Sequence, residues 1–507
     1  MILPIVYILI FCALIFTLPF FRDKSVHRIA FTGVFLLKII AGFFLTWIYT
    51  HYYPDRQTAD IFKYFDDAKI MFSSVNNHHY IDYLKMLSGI GNDTDYFNET
   101  YYNHMNHWFR HYDFGTYNDN HTIIRFNAFI MLFSFGNFYV HTIFMCFICF
   151  LGLTALYKTF TSYFINKEKL LFAALFLIPT VVFWSSGVLK EGVLLFALGF
   201  LFYSFFNVFI IKKNIVLNII CLFIASWLIL INKNYLLLAV APALLCFYCV
   251  NRFKLTRPIL FYAAFYVVAF FLGLLVSNSF LEDNLLETFS FKQRDFINVS
   301  KGGVFIQNDK FFVRIAPDKK IFLDTLSKTN FKIKTGSSYM YWTNADLNDT
   351  LYTTNSTDTA SYHLVWDLPI AGSTIHISKL EPTVFSLIKT APMALYNSLC
   401  KPSLLSSKSF LEKFSALENA FVLLFLIVCV WFKKQTYDRN MFALCLFICL
   451  IILLLIGYTT PVAGAIVRYK VPIMPFLLMC GILIIDEQKL KWLFTKHTSP
   501  FKKQQRQ

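Results

Sequence analysis

The stretch TADIFKYFDDAKIMF (58–72) carries three aspartates, Asp60, Asp66 and Asp67. Carboxylates at such spacing can act as a general base on a hydroxyl or hold a divalent cation. On an α-helix each residue advances about 100°, which brings Lys63, Tyr64 and Asp67 within about 60° of Asp60 and turns Asp66 about 120° away. Ile61, Phe65, Ala68 and Phe72 form an apolar stripe beside that face. The stretch therefore predicts an amphipathic helix at a membrane surface. Its Asp60/Tyr64/Asp67 face is either a chemical face or a plain solvated acidic one.

Three further sets of polar residues need a reason. Lys190 and Glu191 are adjacent within PTVVFWSSGVLKEGVLLF (179–196) and bounded by apolar sequence. Charges at membrane depth are costly and are usually paired or functional. Ser185, Ser186, Gly187 and a helix start could join Lys190 in binding an anion, or Lys190 could snorkel from a hairpin turn. Arg468 and Lys470, in GAIVRYKVPIMPFLL, fall in a short loop. Arginine suits phosphate because its fork binds two oxygens at once; snorkelling is the plainer alternative. Lys38, in FLLKIIAGFF, is a lone basic residue mid-span that must snorkel, pair or face a cavity. Arg125 and Arg110 are weaker candidates. The histidines of NNHHY and YYNHMNHWFRHY (101–112) match no metal-site spacing and read as a solvated aromatic loop.

The elements that must position these residues are membrane helices. The chain has 507 residues, 57% hydrophobic and 15% charged, with 60 Phe and 28 Tyr. Soluble domains carry about a quarter charged residues. Apolar runs of roughly 18 residues recur, each long enough for a ~30 Å hydrocarbon core. They are continuous rather than alternating, which excludes a β-barrel reading. The expected fold is an all-α polytopic membrane protein of about eleven spans: 2–20, 29–50, 138–157, 170–186, 191–211, 215–231, 235–251, 258–277, 418–432, 440–458 and 471–486. The opening MILPIVYILIFCALIFTLPF has no basic leader or small-residue cleavage motif and reads as a retained span.

The Lys/Arg-rich segments FRDKSVHR, YKTFTSYFINKEK, IKKN, NRFKLTRP, FKKQTYDRN and the tail all fall on one side of this arrangement, giving an N-out, C-in topology. The net charge of +16 belongs to those loops and not to a nucleic-acid surface. Two long extracytoplasmic loops follow, 51–137 and 278–417. In the second, GGVFIQNDKFFVRIAPDKKIFLD and GSTIHISKL read as short strands. Segments 122–136 and 383–397 read as interfacial helices too short to span. The expected division is a membrane domain 1–277 carrying loop 51–137, an extracytoplasmic insertion 278–417, C-terminal helices 418–486 and a basic tail 487–507. Asn92, Asn98, Asn120, Asn298, Asn348 and Asn355 open N-x-S/T triplets in the outer loops, which Asn- and Thr-rich loops also generate by chance. Ten of the 11 Cys lie in apolar runs and Cys400 does not; no disulfide framework or structural zinc is expected.

KIIAGFFLTWIYTHYYPDRQTADIFKYFDDAKIMF resembles the passage from an early span into the first outer loop of GT-C-type, polyprenyl-phosphate-sugar-dependent glycosyltransferases. FWSSGVLKEGVLLFALG, MALYNSLCKPSL with SALEN, and GAIVRYKVPIMPFLL are similar to segments of such proteins from Bacteroidetes-like bacteria. The resemblance covers four short patches. It implies sugar transfer from a polyprenyl-phosphate donor to a glycan or lipid-linked acceptor at the outer face of the inner membrane, among membrane lipids. Asp60 would match the catalytic acid, as general base or metal anchor, assisted by Asp67 or Asp66. Asp60 and Asp67 would hold a divalent cation if one is used. Lys190, Arg468 and Lys470 would bind phosphate, supported by Tyr64, Glu191, Arg125 and Lys38. An O-antigen or capsule polymerase or ligase, and a transporter or flippase of lipid-linked saccharides, remain open as alternatives.

Overall fold

Uninterrupted apolar sequence must satisfy its backbone groups internally in lipid, and helices do this within one segment. The computed structural model describes residues 2–51, 56, 59–109, 117–280, 284–308, 312–327, 330–334, 337–342, 350–353 and 361–489. The chain divides into two units: Met1–Ala263, Val422–Ile452 and Lys470–Gln507, and Ala264–Phe421 with Leu453–Tyr469. The insertion expected at 278–417 thus falls in the second unit, which also takes up part of the C-terminal helices.

In chain order the helices are α1 (Ile2–Thr17), α2 (Arg28–His51), α3 (Asp60–Asn76), α4 (Tyr80–Ser88), α5 (Asp95–Thr100), α6 (Asp119–Ser134), α7 (Phe138–Phe160), α8 (Glu168–Phe176), α9 (Pro179–Trp184), α10 (Lys190–Phe205), α11 (Ile215–Phe253) and α12 (Pro258–Phe280). They continue with α13 (Leu285–Ser300), α14 (Val384–Cys400), α15 (Phe410–Trp431), α16 (Arg439–Thr459), α17 (Ala463–Lys470) and α18 (Met474–Ile484). Among the described residues seven helices are long and apolar enough to cross a membrane, or eight if α17 and α18, bent by 64°, count as one span. This fits an all-α polytopic membrane protein.

The difference from eleven runs has local causes. Helix α1 has 16 residues, short of the ~20 that a crossing needs. The run 170–186 breaks before Pro179 into α8 and α9. The runs 215–231 and 235–251 form one 39-residue element, α11, whose backbone leaves helical geometry at Lys233 (φ −150°, ψ 83°).

In the first unit α7 packs on α2 and α10. The α7–α10 crossing is made by glycine: a Cβ on Gly199 would lie 2.0 Å from the Gly152 carbonyl oxygen. Small residues of this kind let membrane helices approach closely. The segment 59–138 has its own core of Ile61, Phe65, Met71, Tyr83, Trp108 and Met131, continuous with Val188 and Leu189 before α10. Helix α3 is therefore not a helix lying on a surface. Its Tyr64 and Asp67, expected on the polar face, are 4% and 0% exposed.

In the second unit, among the described residues, seven antiparallel strands form one sheet in the order β3-β4-β7-β1-β2-β5-β6. They are β1 (Gly303–Gln307), β2 (Phe312–Ile315), β3 (Leu323–Thr325), β4 (Asn330–Ile333), β5 (Ser338–Trp342), β6 (Thr350–Thr353) and β7 (Tyr362–Leu368). Val304, Ile306, Val313, Ile315, Ile333 and Tyr362 make its core. GSTIHISKL is not a strand; it contributes one isolated bridge, Thr374 to Val462. Gln293 on α13 ties this segment down, donating to the Ser378 and Tyr458 carbonyls and accepting from Leu380 N–H. Of the triplet asparagines, Asn92 and Asn298 are 0% and 1% exposed, which closes them to a bulky glycan. Asn348 and Asn355 lie outside the described residues.

Candidate functional site

The three aspartates do three different things. Asp66 points away from the other two, as helical phase requires, and forms a two-bond pair with Arg56 at 2.9 and 2.8 Å. Asp67 is consumed by the following loop. Its two carboxylate oxygens accept the backbone N–H groups of Asn106 and His107, each at 2.8 Å. Burial pushes its carboxyl up to about 6, against the lowering effect of those two amides. Asp60 opens α3, keeps 35% of its side chain exposed and lies 4.0 Å from Lys63.

Because Asp67 fixes the backbone of residues 106 and 107, it also places the His107 ring. That ring meets the Tyr64 ring edge-on at 6.4 Å. Its Nδ1 is buried without a hydrogen-bond partner among the described residues. Burial, with the charges of Lys63 and Lys190, holds the imidazole down at about 4; Asp60 acts the other way. His107 is thus neutral at ordinary pH, between two lysines and an aspartate.

Asn118 caps α6, its side chain accepting Asn120 N–H. This sets Asp119 and Asn120 on the first turn, facing Lys190. Lys190 Nζ reaches Asp119 Oδ2 at 2.5 Å and Asn120 Oδ1 at 2.8 Å. Tyr64 O–H donates to the same Asn120 oxygen at 3.4 Å, and Asn120 Nδ2 donates to the His107 carbonyl at 3.3 Å. Lys190 Nζ also lies 5.6 Å from the centre of the Tyr64 ring. Asn120 is therefore the joint of the cluster, linking α3, the 106–107 loop, α6 and α10. Lys190, expected as a cation awaiting phosphate, already has a carboxylate partner. An incoming anion would share it with Asp119.

Glu191 turns the opposite way, to Lys233 Nζ at 3.7 Å, with the two side chains 1% and 11% exposed. Lys233 is the residue at which α11 leaves helical geometry. The junction between α9 and α10 is clamped from α2. Lys38, 1% exposed, donates to Ser185 Oγ at 2.7 Å. A Cβ on Gly42 would lie 2.5 Å from the Ser186 carbonyl oxygen. Ser185 and Ser186 donate back to the Val181 and Val182 carbonyls. The expected anion loop at Ser185–Gly187 is instead a closed turn: both serines are 0% exposed.

Other expected residues lie elsewhere. Arg125 supports the loop, donating to the Met86 carbonyl at 2.9 Å and the Tyr117 hydroxyl at 3.0 Å and lying over Trp108. Lys470 is 4% exposed. Arg468 belongs to the second unit, whereas the cluster is built from the first alone. Arg110 falls outside the described residues. Among the described residues no three His, Cys, Asp or Glu side chains gather as a metal site, and Asp67, expected to share a cation with Asp60, is bound to the loop instead. Ser134, His141 and Asn127 have the connectivity of a nucleophile triad, with His141 bonded to Ser134 Oγ at 2.7 Å and Asn127 Oδ1 at 2.8 Å. All three are 0% exposed, so no substrate reaches them; they lock the α6–α7 turn.

Sequence reasoning missed Asp119, Asn120, His107 and Lys233 as members of the cluster. Lys233 carried a usable signal, a charge between two apolar runs, of the kind that drew attention to Lys190 and Glu191. By sequence His107 reads, with its neighbours, as solvated loop. Nothing local marks Asp119. No family model matches this chain, and comparisons with curated proteins and with solved structures give no match.

Proposed function

We propose that the protein is a GT-C-type glycosyltransferase of the cell inner membrane. In this reading it moves a sugar from a polyprenyl-phosphate donor to a glycan or lipid-linked acceptor at the outer face. The observation that supports it is the placement of Asp60 at the start of α3, with 35% of its side chain exposed, 4.0 Å from Lys63 and close enough to His107 for its charge and that of Lys190 both to act on that ring. The acceptor oxygen attacks the anomeric carbon and gives its proton to Asp60. The carbon–oxygen bond to phosphate breaks, its electron pair leaves on the phosphate oxygen, and configuration inverts. A base of this kind supplies about 10²–10⁴-fold. Lys63 and Lys190 offset the growing phosphate charge.

Transfer from a radiolabelled polyprenyl-phosphate sugar by the purified protein tests the reading. Asp60→Asn should lose at least a hundredfold in rate while folding normally. Full transfer by that variant would sink the role of Asp60, and intact polymerase activity in it would favour the polymerase class. A second reading, transport of lipid-linked saccharides, draws on the break in α11 beside buried Glu191, because transporters place ion sites at broken helices. Protein in vesicles that moves a lipid-linked saccharide across the bilayer, with no transfer detectable, would decide for transport.

A further inference from the structure

We infer that α14 and the turn joining it to α15 form a binding surface for the diester-phosphate headgroups of anionic bilayer lipids. The inference concerns a surface that the transferase reading does not use.

The distribution of side chains around α14 is the first part of the argument. At about 100° per residue, Phe385, Ile388, Lys389, Pro392, Met393 and Tyr396 fall within an arc of about 140°, and all six are exposed. Ser386, Ala394, Asn397 and Ser398 fall on the other side and are buried. The helix is inverted relative to one in water: its largest apolar groups point outward, and its small and polar groups inward. Phe385 and Ile388 are 73% and 68% exposed. The inner face is fixed in place. A Cβ on Gly457 would collide with the Ala394 carbonyl oxygen, Tyr458 O–H donates to the Leu387 carbonyl at 2.8 Å, and Asn397 donates to the His376 carbonyl at 3.0 Å. The helix cannot roll to bury its apolar side without breaking these contacts. An exposed apolar face rimmed by lysine suits a lipid interface.

Position says what covers that face. Gly457 and Tyr458 lie in the last turn of α16, and α15 begins at Phe410, shortly after α14 ends at Cys400. Both α15 and α16 are long and apolar enough to cross a membrane. Helix α14 thus packs on the end of one such helix and leads into the other, at the depth where hydrocarbon gives way to headgroups. The connecting turn continues the pattern, with Leu404 and Leu405 exposed, and Phe410 and Phe414 after them.

Charge says which lipid. Residues 384–417 hold four lysines, Lys389, Lys401, Lys408 and Lys413, and one acid, Glu412. Glu412 closes the start of α15 as a capping box. Its carboxylate accepts the N–H groups of Lys408 and Ser409 at 2.8 and 3.3 Å, and its own N–H donates to Ser409 Oγ at 3.2 Å. Lys408 and Lys413 flank that first turn, where the helix dipole also favours an anion. Lys401 Nζ lies 6.0 Å from the centre of the Tyr396 ring, and tyrosine is itself enriched at membrane–water interfaces. Each lysine beside a membrane helix favours anionic lipid by about fivefold.

The test is photo-crosslinking of the purified full-length protein, with Ile388 replaced by benzoylphenylalanine. The protein is placed in nanodiscs of equal parts phosphatidylglycerol and phosphatidylcholine, and the adducts are identified by mass. Lipid adducts are expected, with phosphatidylglycerol favoured about fivefold or more. Combining Lys389→Gln, Lys408→Gln and Lys413→Gln should bring the ratio close to one. Should that variant fail to fold, raising salt to about 1 M with the lysines intact gives the same answer, because the screening length falls to about 3 Å and the ratio should fall with it. Absence of lipid adducts, adducts to a second copy of the chain in place of lipid, equal labelling by the two lipids, or a preference that survives both lysine removal and salt overturns the inference.

Discussion

The Glu191–Lys233 pair offers a quantitative handle on what holds the cluster in place. The two groups are 3.7 Å apart and 1% and 11% exposed, so solvent screens them little. At an effective dielectric of about 20 their attraction is about 4 kcal/mol. Removing one partner takes that attraction away from a charge that stays buried, which costs about 3–5 kcal/mol. Glu191→Gln alone and Lys233→Met alone should each lower the melting temperature by roughly 10 °C, at a few °C per kcal/mol for a large domain. The double variant removes both charges and should recover most of that loss, because replacing a buried pair by apolar groups is often neutral or stabilising. The assay is thermal unfolding of the four proteins in one detergent, read as a double-mutant cycle, with transfer activity measured on the double variant. A coupling above about 2 kcal/mol is expected. Additive single effects would refute the reasoning, since they would mean that the two charges do not sense each other. Loss of activity in a well-folded double variant would show that Glu191 or Lys233 acts on substrate rather than as scaffold.

Other expectations follow from the same geometry. Asp67 titrates near 6 in the fold and near 3.9 unfolded, so the folded state binds its proton more tightly; the stability this adds is full below about pH 4 and lost as pH rises through about 6, a swing of about 3 kcal/mol. Asp67→Asn should flatten the pH profile of melting in that window, and an unchanged profile would assign the acid effect to another group. Gly42→Ala places a methyl group 2.5 Å from the Ser186 carbonyl oxygen; it should cost about 1–3 kcal/mol and reduce transfer by moving the α9–α10 junction, whereas a silent substitution would show that α2 does not fix it. Lys38→Met removes the bond to Ser185 that clamps the same junction and should lower transfer to a degree similar to Gly42→Ala without abolishing it; collapse of lipid-linked saccharide transport in this variant, with no transfer detectable in the wild-type protein, would favour the transport reading. Ser134→Ala should retain transfer, and its loss would require the buried Ser134–His141–Asn127 set to be opened during turnover.

The parts of this protein that were legible in its sequence are those set by local rules. Apolar length marks the long helices, because each segment satisfies its own backbone in lipid. Helical phase separates Asp66 from Asp60 and Asp67, and the structure sends Asp66 to Arg56 accordingly. Phase cannot say what stands opposite a face. Asp60 and Asp67 share one side of α3, yet Asp67 meets the amides of a loop some 40 residues later, so two carboxylates on one face do different jobs. The same limit explains Lys190 and Glu191: adjacency suggests an internal pair, but successive helical residues diverge by about 100°, and each finds its partner on another helix. It also explains His107. A histidine in an aromatic, polar stretch reads as surface until a buried aspartate is seen to pull its backbone inward. The chemistry of this site therefore depends on Asp67 even though Asp67 faces no substrate. If Asp60 is the base, Asp60→Asn should lower the turnover rate while leaving melting largely unchanged, whereas Asp67→Asn should loosen the 106–107 backbone that Asp67 holds and lower both together.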